Sequence, residues 1–227
     1  GASMAVARSG KKYELLIWDN GSTPAFQDML KSYAPAVFVE SLNVGPHNAR
    51  WGLNRIARGK IICHTDDDVL FSPDWLEKQE EILTTYPNVA IVAGSPMNYA
   101  FTGGIEPNLE FAARPGVKSW RGHIIPQAWE DDFARSIGMR PDQNVRRYVE
   151  VLMEYKGVKA WAHGHHLQMI SYRDVIEGFL KPRNKYLLDL DNFNIRVGAA
   201  GMLQLTTFAR TARHIGNKID REMLDNP

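Results

Sequence analysis

The sequence lacks several features that would define a protein class at once. It has one cysteine, Cys63, among 227 residues, so an internal disulfide is excluded. That usage fits a reducing compartment, and we expect a cytoplasmic protein. Cys63 lies in a short apolar run and is expected to be a core residue. No apolar stretch approaches the roughly 20 residues that cross a bilayer, and no signal peptide is visible.

The chain also lacks an excess of charge of either sign. It has 27 basic and 26 acidic residues, a net charge of +1. A nucleic-acid-binding surface usually needs a clustered basic excess, so none is expected. A small anionic ligand held by a few local charges remains compatible with this balance. Apolar residues make up 44% and charged residues 23% of the chain, which is ordinary for a globular domain.

The first hundred residues alternate strand and helix patterns. Apolar runs predict strands at 13–18, 36–40, 60–65 and 88–93, and helical spacing covers 24–33, 46–58 and 73–83. Such alternation predicts an α/β fold with a mainly parallel central sheet flanked by helices.

The second half is less regular. Residues 95–141 are rich in glycine, proline and aromatic side chains, which is typical of binding loops. We predict helices at 142–155, 172–180 and 192–199, strands at 168–171 and 203–207, and a surface helix after Gly216. The acidic run Trp129–Asp132 is interpreted as the start of a surface helix. His163, His165 and His166 do not match common zinc spacings, so a zinc site is not expected.

The main chemical signal is the triplet Asp66, Asp67 and Asp68, which follows directly after a predicted buried strand. Ligands of parallel sheets bind at the carboxyl ends of the strands. Three carboxylates repel one another unless a cation compensates them, and hard oxygen ligands suit Mg²⁺ or Mn²⁺. The alternative is a solvated acidic turn that caps the helix near Pro73.

Five motifs in order resemble those of the GT-A glycosyltransferases, especially the large family 2 group. They are Asp19-Asn-Gly-Ser22 after a strand; Asn43-Val-Gly45 with Ala49-Arg50 and Ala57-Arg-Gly59; Asp66–Asp68 with Pro73; Asp189-Leu-Asp191 with Gly201; and His214-Ile-Gly216. Several motifs in the right order are more specific than any one of them. The resemblance implies a GT-A-like fold, with a nucleotide-sugar-binding subdomain at 5–100 and an acceptor-binding subdomain at 101–227.

The resemblance also implies roles for single residues. Asp19, with Asn20, would contact the nucleobase, and Arg50 would lie near the nucleotide. Asp66 would contact ribose and metal, Asp68 the metal, and Asp67 would support them; His214 would be a further metal ligand. Each has a plainer alternative: an Asx turn for Asp19, an exposed helix arginine for Arg50 and a structural histidine for His214. Arg213 receives no role.

The implied reaction is transfer of a sugar from a nucleoside diphosphate sugar, UDP rather than GDP, to a hydroxyl of a glycan, a lipid-linked or another acceptor. A bound Mn²⁺ or Mg²⁺ would stabilise the leaving diphosphate. In an inverting enzyme, Asp189 or Asp191 would be the general base. The plainer alternative is that these residues cap the following helix.

Other hypotheses remain open at this point. A nucleotidyltransferase would use the same acidic triplet, and a retaining glycosyltransferase would need no such base. A non-catalytic sugar-nucleotide-binding module is the third alternative. It is favoured by one departure from the family, which normally begins with a strand and a helix before the Asp19 segment. Only Ala5 to Gly10 precede Lys11, so we expect an unusual member or a sequence that lacks its first residues.

Overall fold

The computed structural model describes residues 12–101, 103–140, 142, 146–180 and 190–216. The first half contains β1 (Leu16–Asp19), α1 (Pro24–Ser32), β2 (Val37–Glu40), α2 (Pro46–Ile56), β3 (Ile61–Thr65), β4 (Val69–Phe71), α3 (Trp75–Thr85) and β5 (Val89–Ala93). A 3₁₀ turn at Asn98–Ala100 leads to α4 (Glu106–Ala112), β6 (Lys118–Gly122), α5 (Gln127–Ser136), β7 (Glu150–Tyr155), β8 (Val158–Trp161), β9 (Gln168–Tyr172), α6 (Arg173–Phe179), α7 (Leu190–Ala199), β10 (Leu203–Thr207) and β11 (Ala212–His214).

Within the described residues, the central sheet has seven strands in the order β3-β9-β5-β10-β8-β7-β6. The α/β class is confirmed, but the sheet is mixed rather than mainly parallel: β5 and β10 pair in parallel, whereas the other neighbouring strands pair antiparallel. The difference arises because β9 inserts between β3 and β5, and β6, β7 and β8 extend the other side as a meander. Strands β3, β5 and β10 still point in one direction, so their carboxyl ends share one edge.

The central strand β5 is buried along its whole length, which shows that both faces of the sheet are covered. Neighbouring residues of a strand point to opposite faces. Val92 packs in a core cluster with Ile82 and Leu83 of α3, and Ile91 packs in a second cluster with Phe193 and Val197 of α7. Strands of both predicted subdomains interleave in this one sheet.

The predicted helix at 142–155 is wrong in its second part, where Glu150–Tyr155 forms strand β7. This strand pairs with β6 and with β8, and a tight turn at Lys156-Gly157 connects it to β8. Both turn residues have positive φ, 51° and 83°, as a type I′ hairpin turn requires. The glycine accepts this conformation without strain, and cross-strand pairing overrides the helical spacing.

Two small sheets complete the fold. Strands β1 and β2 pair in parallel, and β4 pairs with β11 antiparallel. Within the part of the chain that the structure describes, no helix is long and apolar enough to cross a membrane. The predicted helix after Gly216 lies outside the described residues.

Candidate active site

The acidic triplet lies in the turn between β3 and β4, at the edge where β3, β5 and β10 end. The backbone N–H of Asp66 donates to the carbonyl of Leu167 at 3.1 Å, which ties the turn to the segment before β9. The next strand, β4, pairs with β11 so that Val69 lies opposite His214. This pairing brings the start of β4 and the end of β11 together, although they are far apart in sequence.

Asp68 and His214 meet as a result of that pairing. The Asp68 Oδ2 atom lies 2.9 Å from the His214 Nε2 atom, and their side chains are 18% and 13% exposed. The backbone N–H of Ile215 also donates to the Asp68 carbonyl at 2.9 Å, so the two segments are fixed to each other. The structure thus joins two of the residues that the sequence suggested as metal ligands.

The other two acids of the triplet have different surroundings. The Asp66 carboxylate accepts a hydrogen bond from the Arg50 guanidinium of α2, in a half-buried ion pair. Asp67 is exposed to solvent. The three carboxylates therefore have different surroundings, and the positive charge of Arg50 or of a bound cation can relieve their repulsion.

Asp19 and Asn20 organise the turn after β1. Asp19 is buried, and its carboxylate accepts bonds from the Ser22 backbone N–H and, at 2.7 Å, from Gln27 Nε2. Burial would raise the pKa of Asp19, but these hydrogen bonds outweigh it and the pKa lies below its usual value. Asn20 Oδ1 accepts from the Val44 backbone N–H at 2.8 Å. The Asx-turn alternative is thus present in the structure.

Helix α5 supplies contacts that the sequence interpretation missed. The interpretation of Asp132 as part of the start of a surface helix is wrong, because this residue is buried. Its carboxylate accepts hydrogen bonds from Arg213 Nη2 at 2.8 Å and from Arg210 Nη1 at 2.6 Å. Burial alone would raise the Asp132 pKa, but both guanidinium groups together hold it below its usual range. Glu130 is also buried and accepts from the Asn98 backbone N–H at 2.7 Å. Arg213 thus has a role that the sequence did not suggest.

The residues present fit a divalent cation of the kind that completes its shell with substrate oxygens. Among the described residues, no group of three His, Cys, Asp or Glu side chains could hold a metal. Mg²⁺-type ions usually take only one or two protein ligands, with phosphate oxygens and water as the others. Two adjacent ligands at about 2.1 Å in an octahedron are about 3.0 Å apart, and Asp68 and His214 are separated by 2.9 Å.

The two candidate bases cannot be placed in the site. Asp189 lies outside the described residues, and Asp191 belongs to helix α7, whose backbone there is described without its side chain. The helix itself is anchored, because Gln204 Nε2 donates to the Asn194 carbonyl at 2.8 Å.

The histidine motif lies in the core. His163 and His165 are buried, and the His165 Nε2 atom lies 2.7 Å from the Ser95 carbonyl. Burial lowers the pKa of His165 to about 3. Burial thus favours the neutral form of both rings.

A cleft of about 470 Å³ separates the edge of β1 from the edge of β3. Its wall includes Tyr13, Leu15, Ile62, Arg50 and Cys63 but none of the three acids. Cys63 is exposed rather than in the core, since its side chain lines this cleft. The acids lie on the open end of the strands, outside the cleft.

This mixed α/β sheet, with an acidic motif at the end of β3 and a late histidine facing it, has the GT-A architecture that the motifs predicted. The chain belongs to glycosyl transferase family 2, whose family model matches residues 3–146. The match includes the acidic triplet and ends before β7.

Comparison with known proteins adds similar solved structures and no curated relative. A search of the curated proteins found no match. The chain is similar to glucosyl-3-phosphoglycerate synthase from Mycobacterium tuberculosis in complex with phosphoglyceric acid, at 12% identity and a TM-score of 0.45. It is similar to the same enzyme in complex with Mn²⁺, UDP and glucosyl-3-phosphoglycerate, at 13% identity and a TM-score of 0.45. Each alignment covers 92% of this chain and 63% of the other, so the chain spans less than two thirds of those proteins.

Proposed function

We propose that the chain transfers a sugar from a nucleoside diphosphate sugar, most favourably a UDP-sugar, to an acceptor hydroxyl, with Mn²⁺ or Mg²⁺ as cofactor. Family membership supports the reaction class. The observation that carries the proposal is the close pair of Asp68 and His214 at the edge where β3, β5 and β10 end. A carboxylate and an imidazole at this distance, with no third protein ligand among the described side chains, leave room for diphosphate oxygens.

We assign separate parts of the donor, namely its cation, ribose and base, to different residues of the chain. Asp68 and His214 would hold the cation, which when bound stabilises negative charge on the leaving diphosphate. Asp66, oriented by Arg50, is proposed to face the ribose, and the Asp19 turn is proposed to lie by the base. Arg210 and Arg213 both pair with the Asp132 carboxylate and lie on the segment that leads into His214.

For the chemical step we propose an inverting transfer. The acceptor hydroxyl attacks the anomeric carbon while the bond to the diphosphate breaks through an oxocarbenium-like state. Asp189 or Asp191 is proposed to accept the hydroxyl proton. The proposed acceptor is a hydroxyl group of a glycan, of a lipid-linked molecule or of another compound. The single cysteine supports the cytoplasm as the proposed compartment.

A thermal-shift experiment tests the donor site. A ligand that binds only the native state raises the melting temperature. We expect Mn²⁺ and UDP together to raise it more than either alone, because Asp68 and His214 offer only two ligands and the diphosphate supplies others. GDP in place of UDP tests the base preference. No shift under any combination would refute a metal-nucleotide site.

Turnover assays then separate the remaining alternatives. Incubation with a panel of sugar nucleotides, with and without Mn²⁺, is expected to release nucleoside diphosphate only with the metal. Release of pyrophosphate from a nucleoside triphosphate and a sugar phosphate would instead indicate a nucleotidyltransferase. Binding of donor without any turnover would indicate a non-catalytic module.

A further inference from the structure

The cleft between β1 and β3 runs along the edges of two strands. Residues 12–16 line one side of it and residues 59–65 the other, each without a break. Because neighbouring side chains of a strand point to opposite faces, an unbroken run lines a cleft only along its backbone edge. Within the described part of the chain, β1 pairs with β2 alone and β3 with β9 alone. The second edge of each strand therefore faces the cleft.

The pairing of β3 shows which of its backbone groups point into the cleft. At its two ends, the carbonyl of Lys60 and the N–H of Asp66 bond to the segment that contains β9, so the even-numbered residues bond in that direction. Bonded positions alternate along an antiparallel ladder. The backbone groups of Ile61, Cys63 and Thr65 therefore point the other way. They present a donor and an acceptor at every second residue, which is the pattern that a neighbouring strand matches.

Three buried polar side chains on the walls of the cleft carry an atom that has no hydrogen-bond partner among the described residues. These atoms are Asn54 Nδ2, His64 Nδ1 and Trp75 Nε1, and the three residues are 5%, 8% and 2% exposed. Buried polar atoms without a partner are rare in native proteins, because their desolvation is not compensated. Three of them around one cleft indicate that a ligand with hydrogen-bonding groups completes it.

The end of the cleft where both strands begin is fixed by Glu14. Its carboxylate accepts hydrogen bonds from the backbone N–H groups of Arg58 and Gly59, and it pairs with the Arg58 side chain at 3.1 Å. These contacts tie the segment before β1 to the segment before β3. The protein's own hydrogen bonds thus hold the two strand edges apart at a set distance, and the cleft is preformed.

Helices cover the cleft on both sides. Leu53 and Asn54 of α2 line one wall, and Trp75 and Leu76 of α3 line another. Helix α2 packs beside α6, which belongs to the core cluster on the α7 face of the sheet, whereas α3 belongs to the cluster on the opposite face. A segment in the cleft would therefore be buried on both faces, as β5 is. Strands in that position are short, continuous runs of valine, isoleucine and leucine.

We infer that this cleft binds one β-strand of a partner polypeptide, an apolar segment about as long as β3, which has five residues. Its backbone would bond to the edges of both β1 and β3 and join the two sheets. A carbonyl oxygen has two lone pairs, so the strand can also accept from the Asn54 and Trp75 side chains. Addition of a strand to a sheet edge is a recurring mode of peptide recognition. A small molecule could not match donors and acceptors along the whole edge.

A displayed library of short random peptides, selected against the immobilised protein, provides the test. The Cys63→Pro variant removes one donor that faces the cleft and keeps the bonds to β9, and Cys63→Ala is the matched control that keeps the donor. We expect the enriched peptides to contain runs of apolar, β-branched residues. They should bind Cys63→Ala as they bind the unsubstituted protein and bind Cys63→Pro about 10-fold more weakly.

Hydrogen exchange followed by NMR locates the bound peptide on the unsubstituted protein, even if a variant fails to fold. The amides of Ile61, Cys63 and Thr65 should exchange faster than those of Ile62 and His64, and a bound peptide should slow only the first three. Slow exchange of these three without peptide would show that the cleft is filled from within the chain and would overturn the inference. So would a library without enrichment, or peptides that leave these amides unprotected. No sugar nucleotide is needed, so the outcome is independent of the proposed function.

Discussion

At the scale of single residues, the acidic triplet shows that neighbours in sequence need not share a task. Asp66 pairs with Arg50, Asp68 faces His214, and Asp67 points to solvent. The strand-turn-strand geometry between β3 and β4 separates the three carboxylates. The position of each side chain, rather than the number of acids, therefore determines which substitution is damaging.

Replacing Asp68 by asparagine is expected to reduce sugar transfer by about 100-fold or more, because it removes one of two protein ligands to the cation that stabilises the leaving group. The combined Mn²⁺ and UDP thermal shift should disappear as well. The matched Asp67→Asn change should have a much milder effect on both. If Asp67→Asn were the more damaging of the two in folded proteins, the proposed metal ligand would be the wrong acid.

The identity of the general base is tested by the Asp189→Asn and Asp191→Asn variants. We expect Asp189→Asn to leave donor binding nearly intact and to lower transfer by about two orders of magnitude or more, because an amide cannot accept the hydroxyl proton. A helix-capping role would survive this change, since asparagine also caps helices. The Asp191 variant is the comparison, and the reverse pattern would move the base to that position. Full transfer by both variants would favour a retaining mechanism.

At the scale of elements, helix α5 holds the segment that faces the acidic triplet. Its Asp132 and Ser136 are four residues apart and therefore lie on one face of the helix. Together they bind the guanidinium groups of Arg210 and Arg213 and the ring of His214. The segment that carries the late histidine is thus held from one side by a single helix.

Asp132→Asn should destabilise the protein by about 2 kcal/mol, less than the 3–5 kcal/mol of a fully buried pair, since the partners are partly exposed. The variant removes the carboxylate charge that both guanidinium groups share. Urea unfolding measures the change, with Asp131→Asn on the same helix as the control, because the Asp131 carboxylate is exposed and accepts a local hydrogen bond from Gln127. Equal stability of the two variants would show that the ion pairs contribute nothing.

The sequence predicted the elements whose signals are local. The apolar run at Leu203–Thr207 is a strand with those bounds, and the acids do follow a strand. The helical spacing of 150–155 led to a wrong prediction, because pairing with β6 and β8 outweighs local propensity. The Lys156-Gly157 pair between two apolar runs was the sequence signal for a hairpin turn. Ser136 could not be found, since its partner His214 is 78 residues away and no local pattern reports such a contact.

At the scale of the whole molecule, buried histidines contribute to the way stability responds to acid. Burial, with the nearby Arg50 charge, lowers the pKa of His64 to about 3, and burial also lowers the pKa values of His163 and His165. In the unfolded chain these rings bind a proton near pH 6.5. Between about pH 6.5 and 3 the unfolded state therefore binds more protons, so the free energy of unfolding falls as pH falls through this window.

His64→Gln is expected to reduce that slope by about one proton, or about 1.4 kcal/mol per pH unit. Urea unfolding at a series of pH values within the window measures the slope. His123→Gln is the control, because the His123 side chain is 54% exposed. A slope that is the same in His64→Gln and in the unsubstituted protein would contradict the neutral, buried state of His64.

The insertion of β9 between β3 and β5 has a consequence for the order of folding during synthesis. Strands β3 and β5 leave the ribosome first, but the strand that joins them, at Gln168–Tyr172, is made about 75 residues later, and β10 later still. Until then both strands have unpaired edges, which are prone to association with other chains. A fragment limited to residues 3–146 would keep those edges permanently, so the region that carries the family motifs is expected to aggregate when it is expressed alone.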